Sequence, residues 1–441
     1  MKWVSLLAIL LVACGDDSNK SAPMAERDAG PDLDVSDQGA DMAIEEDQAA
    51  DMPVGPQDCL VTNTETSLVL DEASRSGQFY STAAFDGAGV WVVYTAPTSE
   101  ESSNEGIHAI RVGCDGVITS GPLVLSESNA ARNYMPVVDS HGGRTAVVWV
   151  HQPNGGNAKS TKLQFLTQAG GAVLETPADI TPQVSGEFIS ETAWSPSIAL
   201  GEDFLWHASE VLGPETQVVV QRVNFDGSVE SVFFVSEEKD VNQLYPSIGL
   251  TENGAVVSWT REGAEGAEKT YFSRIPEGAS MGGAAQPALA IGDSNPLSHL
   301  APRANPQGAN FLAFQSTTNN SSQILVRNVS EEATGVYATF GATNFINFRP
   351  TVRGFDGGGV VAWYRYTTSP TRNSLALQSF EWNDGEFVNG PEVVVFSEFV
   401  AIPPYGPGLT VISEDTVFVS WSQGDSGANA RVYGKFVRLG Q

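Results

Sequence analysis

Five histidines, His108, His141, His151, His207 and His299, are the side chains in this sequence best suited to acid–base or metal chemistry. Their spacing assembles no site. No pair stands at i, i+4 on a helix, and no CxxC or Cys/His cluster has zinc spacing. No G-x-S-x-G elbow offers a serine nucleophile. Paired carboxylates cannot be picked out among so many acids, although a glycosidase would need two about 5–10 Å apart. The sequence therefore names no catalytic residue, no metal site and no cofactor. One pattern does recur. An aromatic residue stands one or two places before a proline at Tyr134, Trp194, Tyr245, Phe348 and Tyr405, with Tyr80 before Ser81 in the same role. His299-Leu300 replaces it before Pro302, and Arg132, Arg303 and Arg349 lie close by. Aromatics offer apolar area with a polar tip and arginine adds directional hydrogen bonds, a set that suits a sugar or an extended peptide. The same recurrence equally suits framework residues packed between repeated units, and single alanine substitutions would separate the two.

Residues 58–441 have one texture, in which short apolar runs alternate with turn residues and no helical period is sustained. That pattern predicts an all-β domain, and its length calls for repeats. A strand ending in an aromatic recurs at Tyr94, Trp149, Trp206, Trp259, Phe314, Trp363 and Trp421, at intervals of 55, 57, 53, 55, 49 and 58 residues. This series is expected to be core. A proline precedes most of these aromatics: Pro136, Pro196, Pro246, Pro302, Pro350 and Pro407. Between proline and aromatic lie hairpin dipeptides such as Asp86-Gly87, Asn253-Gly254 and Asp356-Gly357, which tolerate positive φ. A third strand follows the aromatic, then another turn, such as Asp115-Gly116 or Asp226-Gly227, and a fourth strand.

Four antiparallel strands repeated seven times predict a seven-bladed β-propeller over 58–441. The last repeat stops after its third strand, near Leu439, and Ser67-Leu68-Val69-Leu70 resembles the missing fourth. The first strand is therefore expected to complete the last blade and remove an open sheet edge. Cys59 lies just before that strand and Cys114 in the corresponding turn of the first blade, so a Cys59–Cys114 disulfide would staple the closure. In texture the domain resembles the TolB-like and sialidase-like propellers. The sialidase Asp-box is not met: Asp86 has Ala88 where glycine belongs, and Asp356 has Val361 where tryptophan belongs. The resemblance implies a fold and carries no catalytic residue.

The chain begins Met1-Lys2-Trp3, followed by an apolar run, Val4 to Val12, too short to span a bilayer as a helix and suited to a signal peptide. Leu11-Val12-Ala13-Cys14 resembles the lipobox of bacterial lipoproteins. That resemblance implies a leader over 1–13, lipidation at Cys14, a membrane anchor and, with Gly15 after the cysteine, residence at the outer membrane or cell surface. Residues 14–57 are rich in Asp and Glu, opposed only by Lys20 and Arg27, and hold no aromatic. They are expected to be a disordered, self-repelling spacer. They contain no D-x-[DN]-x-[DN]-G calcium loop.

The net charge of −30 opposes nucleic acid and anionic lipid surfaces as partners. The function expected is an exported, lipid-anchored binding module for a protein, peptide or glycan, monomeric because a ring of blades closes on itself. A polysaccharide-acting enzyme with its site at the channel mouth and a structural envelope protein are the alternatives.

Overall fold

The computed structural model describes residues 59–440, within the unit Met52–Gln441, apart from 73–76, 99–103, 127–130, 157, 185–188, 193–195, 237, 239, 263–267, 280–285, 288–292, 295–297, 306–307, 319–320, 331–335, 369–370, 384, 399–405 and 425–429. The expected leader 1–13, Cys14 and the spacer 14–57 lie outside the described residues. So do Trp194 and Tyr405.

The described residues form no helix, and their strands build six sheets. Phe79–Phe85, Gly89–Pro97, Glu105–Gly113 and Ile118–Val124 make one four-stranded antiparallel sheet in chain order. Ala131–His141, Arg144–Pro153, Ser160–Leu166 and Ala178–Asp179 make the next. Sheets running from Ile189–Thr192 to Val229–Phe234 and from Gln243–Thr251 to Gln286–Pro287 follow. A nine-stranded sheet runs from Asp293–Ser294 to Glu386–Glu398, but its halves are strand-paired through one parallel pair alone among the described residues, Ser322↔Ile346. In the last sheet, Gly408–Ser413, Thr416–Gln423 and Arg431–Arg438 are joined by Leu68–Val69 from the start of the domain, with Leu68 opposite Gly434 and Val69 opposite Tyr433.

Burial grades across each sheet. Gly89–Pro97 is buried on both faces except at its last residue, whereas Ile118–Val124 has no buried position and is mostly exposed. A strand covered on both faces needs apolar side chains at every position, which is why Val90-Trp91-Val92-Val93-Tyr94 reads as a run rather than an alternation. The core is accordingly divided into layers between successive sheets and between the halves of the nine-stranded one. Trp91 and Val93 pack with Val147 and Trp149, Trp206 and Val220 with Val257 and Trp259, and Phe311 and Phe340 with Trp363 and Phe380. One layer joins the first sheet to the last, through Val92 and Tyr94 against Phe418, Val432 and Phe436. Cys59 and Cys114 form the expected disulfide, with Cα atoms 5.4 Å apart.

The register corrects two repeats. Ser197 pairs with Ala208 as Ser247 pairs with Ser258, so Ser209, not Trp206, holds the place of Trp259. Trp206 stands three residues earlier, opposite Ala199, whose small side chain leaves room for the indole. In the fifth repeat His299 pairs with Ala313, which puts Ser298 where other repeats carry proline. Pro302 lies four residues on, its carbonyl accepting from the Leu250 N–H at 2.9 Å.

Candidate functional site

In four repeats the first strand begins with an irregularity. Register shifts fall between Phe79 and Thr82, Tyr134 and Val137, Leu244 and Ser247, and Phe348 and Thr351. Within them Tyr80, Met135, Tyr245 and Arg349 take φ of 57°, 56°, 55° and 54°. Positive φ is uncommon outside glycine and costs of order 1–3 kcal/mol in a strained position. A bulge of this kind bends the strand and re-aims one side chain. The consequence here is a division of labour between neighbours. The residue immediately before the proline lines a hollow at the inner edges of the sheets, whereas the residue two before it does not.

That hollow encloses about 170 Å³ and is lined from seven stretches of chain: 80–82, 135–137, 196–197, 245–247, 298–299, 349–351 with 353, and 406–409. Its side chains include Tyr80, Met135, Tyr245, His299, Arg349 and Arg353, and the described lining contains no Asp or Glu. Tyr245 is held by its backbone, whose N–H donates to Glu210 Oε1 at 2.6 Å. Glu210 is itself buried, and burial pushes its carboxyl up to about 8.

Of the sequence-predicted residues, Tyr80, Tyr245 and Arg349 come together in this hollow. Tyr134 is buried against Met135, Val150 and Tyr80, and burial pushes its hydroxyl up to about 12. Arg132 lies exposed over the Tyr134 ring at 4.8 Å and pairs with Glu105 at 2.5 Å. Phe348 packs on Tyr364, with ring centroids 6.2 Å apart, and Arg349 lies 5.7 Å over the Phe348 ring. Arg303 belongs elsewhere. Its guanidinium bonds Asp139 Oδ2 at 2.7 Å and the Leu200 carbonyl at 2.8 Å. It lines a second, wider hollow of about 710 Å³ with His141, Glu202, Glu252 and Asn305. Burial and the Arg303 charge hold the His141 imidazole below its ordinary range.

Two contacts escaped the sequence reading, and each had a signal. Asn133 and Asn347, three places before their prolines, accept from the indole N–H of Trp149 (3.2 Å) and Trp363 (2.9 Å). The signal is an Asn-aromatic-x-Pro spelling shared by the two repeats. The third residue beyond the proline position is Ala84, Ala199, Gly249, Ala301 or Thr410 in five repeats but Asp139 and Arg353 in the others. Two ionisable residues in a column of small ones mark an unusual environment. Asp139 accepts from the Leu200 N–H at 2.8 Å, as Thr410 accepts from the Phe85 N–H at 3.0 Å. Arg353 has only donors and cannot make that bond. Among the described residues no group of three or more His, Cys, Asp or Glu could hold a metal ion.

No protein-family model and no curated protein sequence matches the chain. Its fold is similar to several solved structures. A protein of unknown function from Dyadobacter fermentans aligns over 86% of this chain and 99% of its own at 9% identity, with a TM-score of 0.52. An ulvan lyase, a polysaccharide lyase solved with -[GlcA(1-4)Rha3S]- bound, aligns over 85% and 96% at 10% identity and 0.54. The lectin BP39L from Burkholderia pseudomallei aligns over 78% and 91% at 11% identity and 0.51. With its several four-stranded antiparallel sheets, the chain has an all-β, propeller-type fold.

Proposed function

We propose that this protein is an exported, lipid-anchored carbohydrate-binding module. In this reading the sheets are seven blades of a closed ring, the nine-stranded sheet counting as two, and Leu68–Val69 completes the last blade. The pairing of Leu68 with Gly434 and the layer between the first and last sheets support the ring. The hollow is then the mouth of its central channel.

The observation that carries the binding reading is the hollow itself. Tyr80 and Tyr245 are half-buried, aromatic and held in strained backbone, and they face a space about the size of one sugar ring beside Arg349. The two aligned structures with named activities, a lectin and a polysaccharide lyase, act on sugars. Binding is favoured over hydrolysis because the described lining has no carboxylate, and glycoside hydrolysis ordinarily needs two. Glu210 carries a proton at neutral pH but does not line the hollow.

A glycan screen read by thermal shift on the purified protein tests the reading. A saturable rise in Tm that Tyr245→Ala abolishes is the expected result; no shift with any glycan would sink it. Cys14 would carry the acyl chains, and several chains anchor where one alone binds marginally. Palmitate labelling in cells that Cys14→Ser removes checks the anchor, and surface proteolysis of intact cells checks the side of the membrane.

A further inference from the structure

In three successive repeats the first residue past the proline position performs one task. Ser197 Oγ accepts from the Ile248 N–H at 3.1 Å, and Ser247 Oγ accepts from the Leu300 N–H at 2.9 Å. His299 stands at the same place in the next repeat, and its Nδ1 accepts from the Val352 N–H at 3.4 Å. Burial and the Arg353 charge hold the His299 imidazole well below its ordinary range, so the ring is neutral. With Nδ1 used as the acceptor, the ring proton is on Nε2. Yet Nε2 faces Arg353 Nη1 at 3.3 Å. A neutral imidazole accepts at one nitrogen only, so it cannot serve both the Val352 N–H and the Arg353 guanidinium, and with the ring proton on Nε2 two donors meet there.

Arg353 is the more demanding of the two. Its guanidinium donates to the Val352 carbonyl at 3.1 Å, and no carboxylate lies within 4 Å of it among the described residues. Asp139, the acid that acts on it electrostatically, is already paired with Arg303. Arg303 repels it, and burial lowers its guanidinium to about 10, which still leaves it charged at neutral pH. A charge held in a partly enclosed site without a counter-ion is costly, and a bound anion would offset that cost. Arg353, His299 and Arg349 all line the same hollow, which offers no acid among its described lining residues in a chain of net charge −30.

We propose that the floor of this hollow is an oxyanion site in which Arg353 and the His299 Nε2–H receive the carboxylate of an acidic sugar. The inference rests on the carbohydrate reading of the same hollow and narrows it to uronate-bearing glycans. The planar guanidinium suits a carboxylate, which can take two parallel hydrogen bonds from it. Tyr80 and Tyr245 would then contact the ring that bears the acid.

The test compares tri-galacturonate, the neutral galactose trisaccharide obtained by reducing its carboxyls, and sodium sulfate, by calorimetry and thermal shift on the purified protein. Tighter binding of the acidic sugar by tenfold or more, weakening as salt rises, is expected. Arg353→Gln should bring the two sugars within about twofold of each other. Equal affinity of the wild-type protein for both overturns the inference and leaves the carbohydrate reading standing. A saturable Tm rise with sulfate, absent in Arg353→Gln, with neither sugar bound, keeps the anion site and removes the carbohydrate reading. No response to any of the three overturns the anion site. Because the acidic-to-neutral ratio is read on the wild-type protein, failure of Arg353→Gln to fold would not remove the test.

Discussion

The layers between the sheets and the hollow at their inner edges are built from neighbouring residues, yet they repeat different things. In the layers the chemistry recurs: Tyr94, Trp149, Trp259, Phe314, Trp363 and Trp421 hold one structural position, and all are at most 1% exposed. In the hollow only the backbone recurs. The same φ near +55° presents tyrosine, methionine, tyrosine and arginine in turn. A layer must be filled in every repeat or a cavity opens, so its side chains are constrained alike. A hollow faced by all repeats together needs one constellation, and each repeat contributes a different part. Recurrence of residue type therefore marks framework, and recurrence of backbone with varying residues marks the candidate site.

Removing a layer residue should cause the largest loss of stability. Trp363 is fully buried and its indole N–H donates to Asn347, which in turn donates to the Ser322 carbonyl at 2.7 Å in the preceding repeat. Trp363→Ala should cost about 3–5 kcal/mol by denaturant titration. A loss near zero would mean the layers do not carry the fold.

The disulfide comes next. It closes a loop of 55 residues between the start of the domain and the first sheet's outer turn. In the chain-entropy model such a loop contributes about 4 kcal/mol. Cys59→Ala with Cys114→Ala should lower the midpoint of unfolding accordingly and leave glycan binding intact, because neither cysteine lines the hollow.

What the sequence made legible follows the same division. Strands, turns and the 55-residue recurrence could be read because turn dipeptides and doubly covered strands constrain residue type at each position. The third repeat misled because a tryptophan three residues away satisfied the same count; only the pairing of Ser197 with Ala208 showed the displacement. The aromatic pattern before the proline mixed two registers. Tyr134 and Phe348 stand two places before it, whereas Tyr80 and Tyr245 stand one place before the proline position and line the hollow. Only φ distinguishes these places, and a bulge that admits Tyr, Met and Arg alike leaves no residue signature. Arg353 and His299 were hidden for another reason: each occurs once in its column, so no recurrence marks it.

A pH titration tests how the hollow's supports are held. Glu210 has a folded-state carboxyl raised from 4.5 to about 8 by burial. The unfolded chain releases its proton near 4.5 while the folded chain keeps it until about 8, so this group lowers stability progressively over that window. Glu210→Gln keeps an acceptor for the Tyr245 N–H and removes the titration. It should be more stable than the wild-type protein above pH 8, by about 5 kcal/mol, and nearly equal to it near pH 4. Parallel stability curves for the two proteins would show that Glu210 is charged in the fold. His207 acts in the opposite sense. Burial lowers its imidazole to about 3, so its contribution is lost as pH falls below 6.5.

The smallest effect on stability is expected where the effect on binding is largest. Tyr245 is half-buried at the hollow, and its place is fixed by a backbone hydrogen bond that alanine would retain. Tyr245→Ala should therefore change unfolding free energy by under about 1 kcal/mol, as substitutions outside a packed layer do. Losing an aromatic contact in a binding site ordinarily costs more than that, about 2 kcal/mol or roughly thirtyfold in Kd. Trp363→Ala inverts the ratio, with a large loss of stability and, in whatever fraction stays folded, unaltered affinity per folded molecule. If Tyr245→Ala proves as destabilising as Trp363→Ala, the two columns are one framework, and the positive φ at Tyr80, Met135, Tyr245 and Arg349 is then a requirement of strand packing rather than a way of presenting side chains to a ligand.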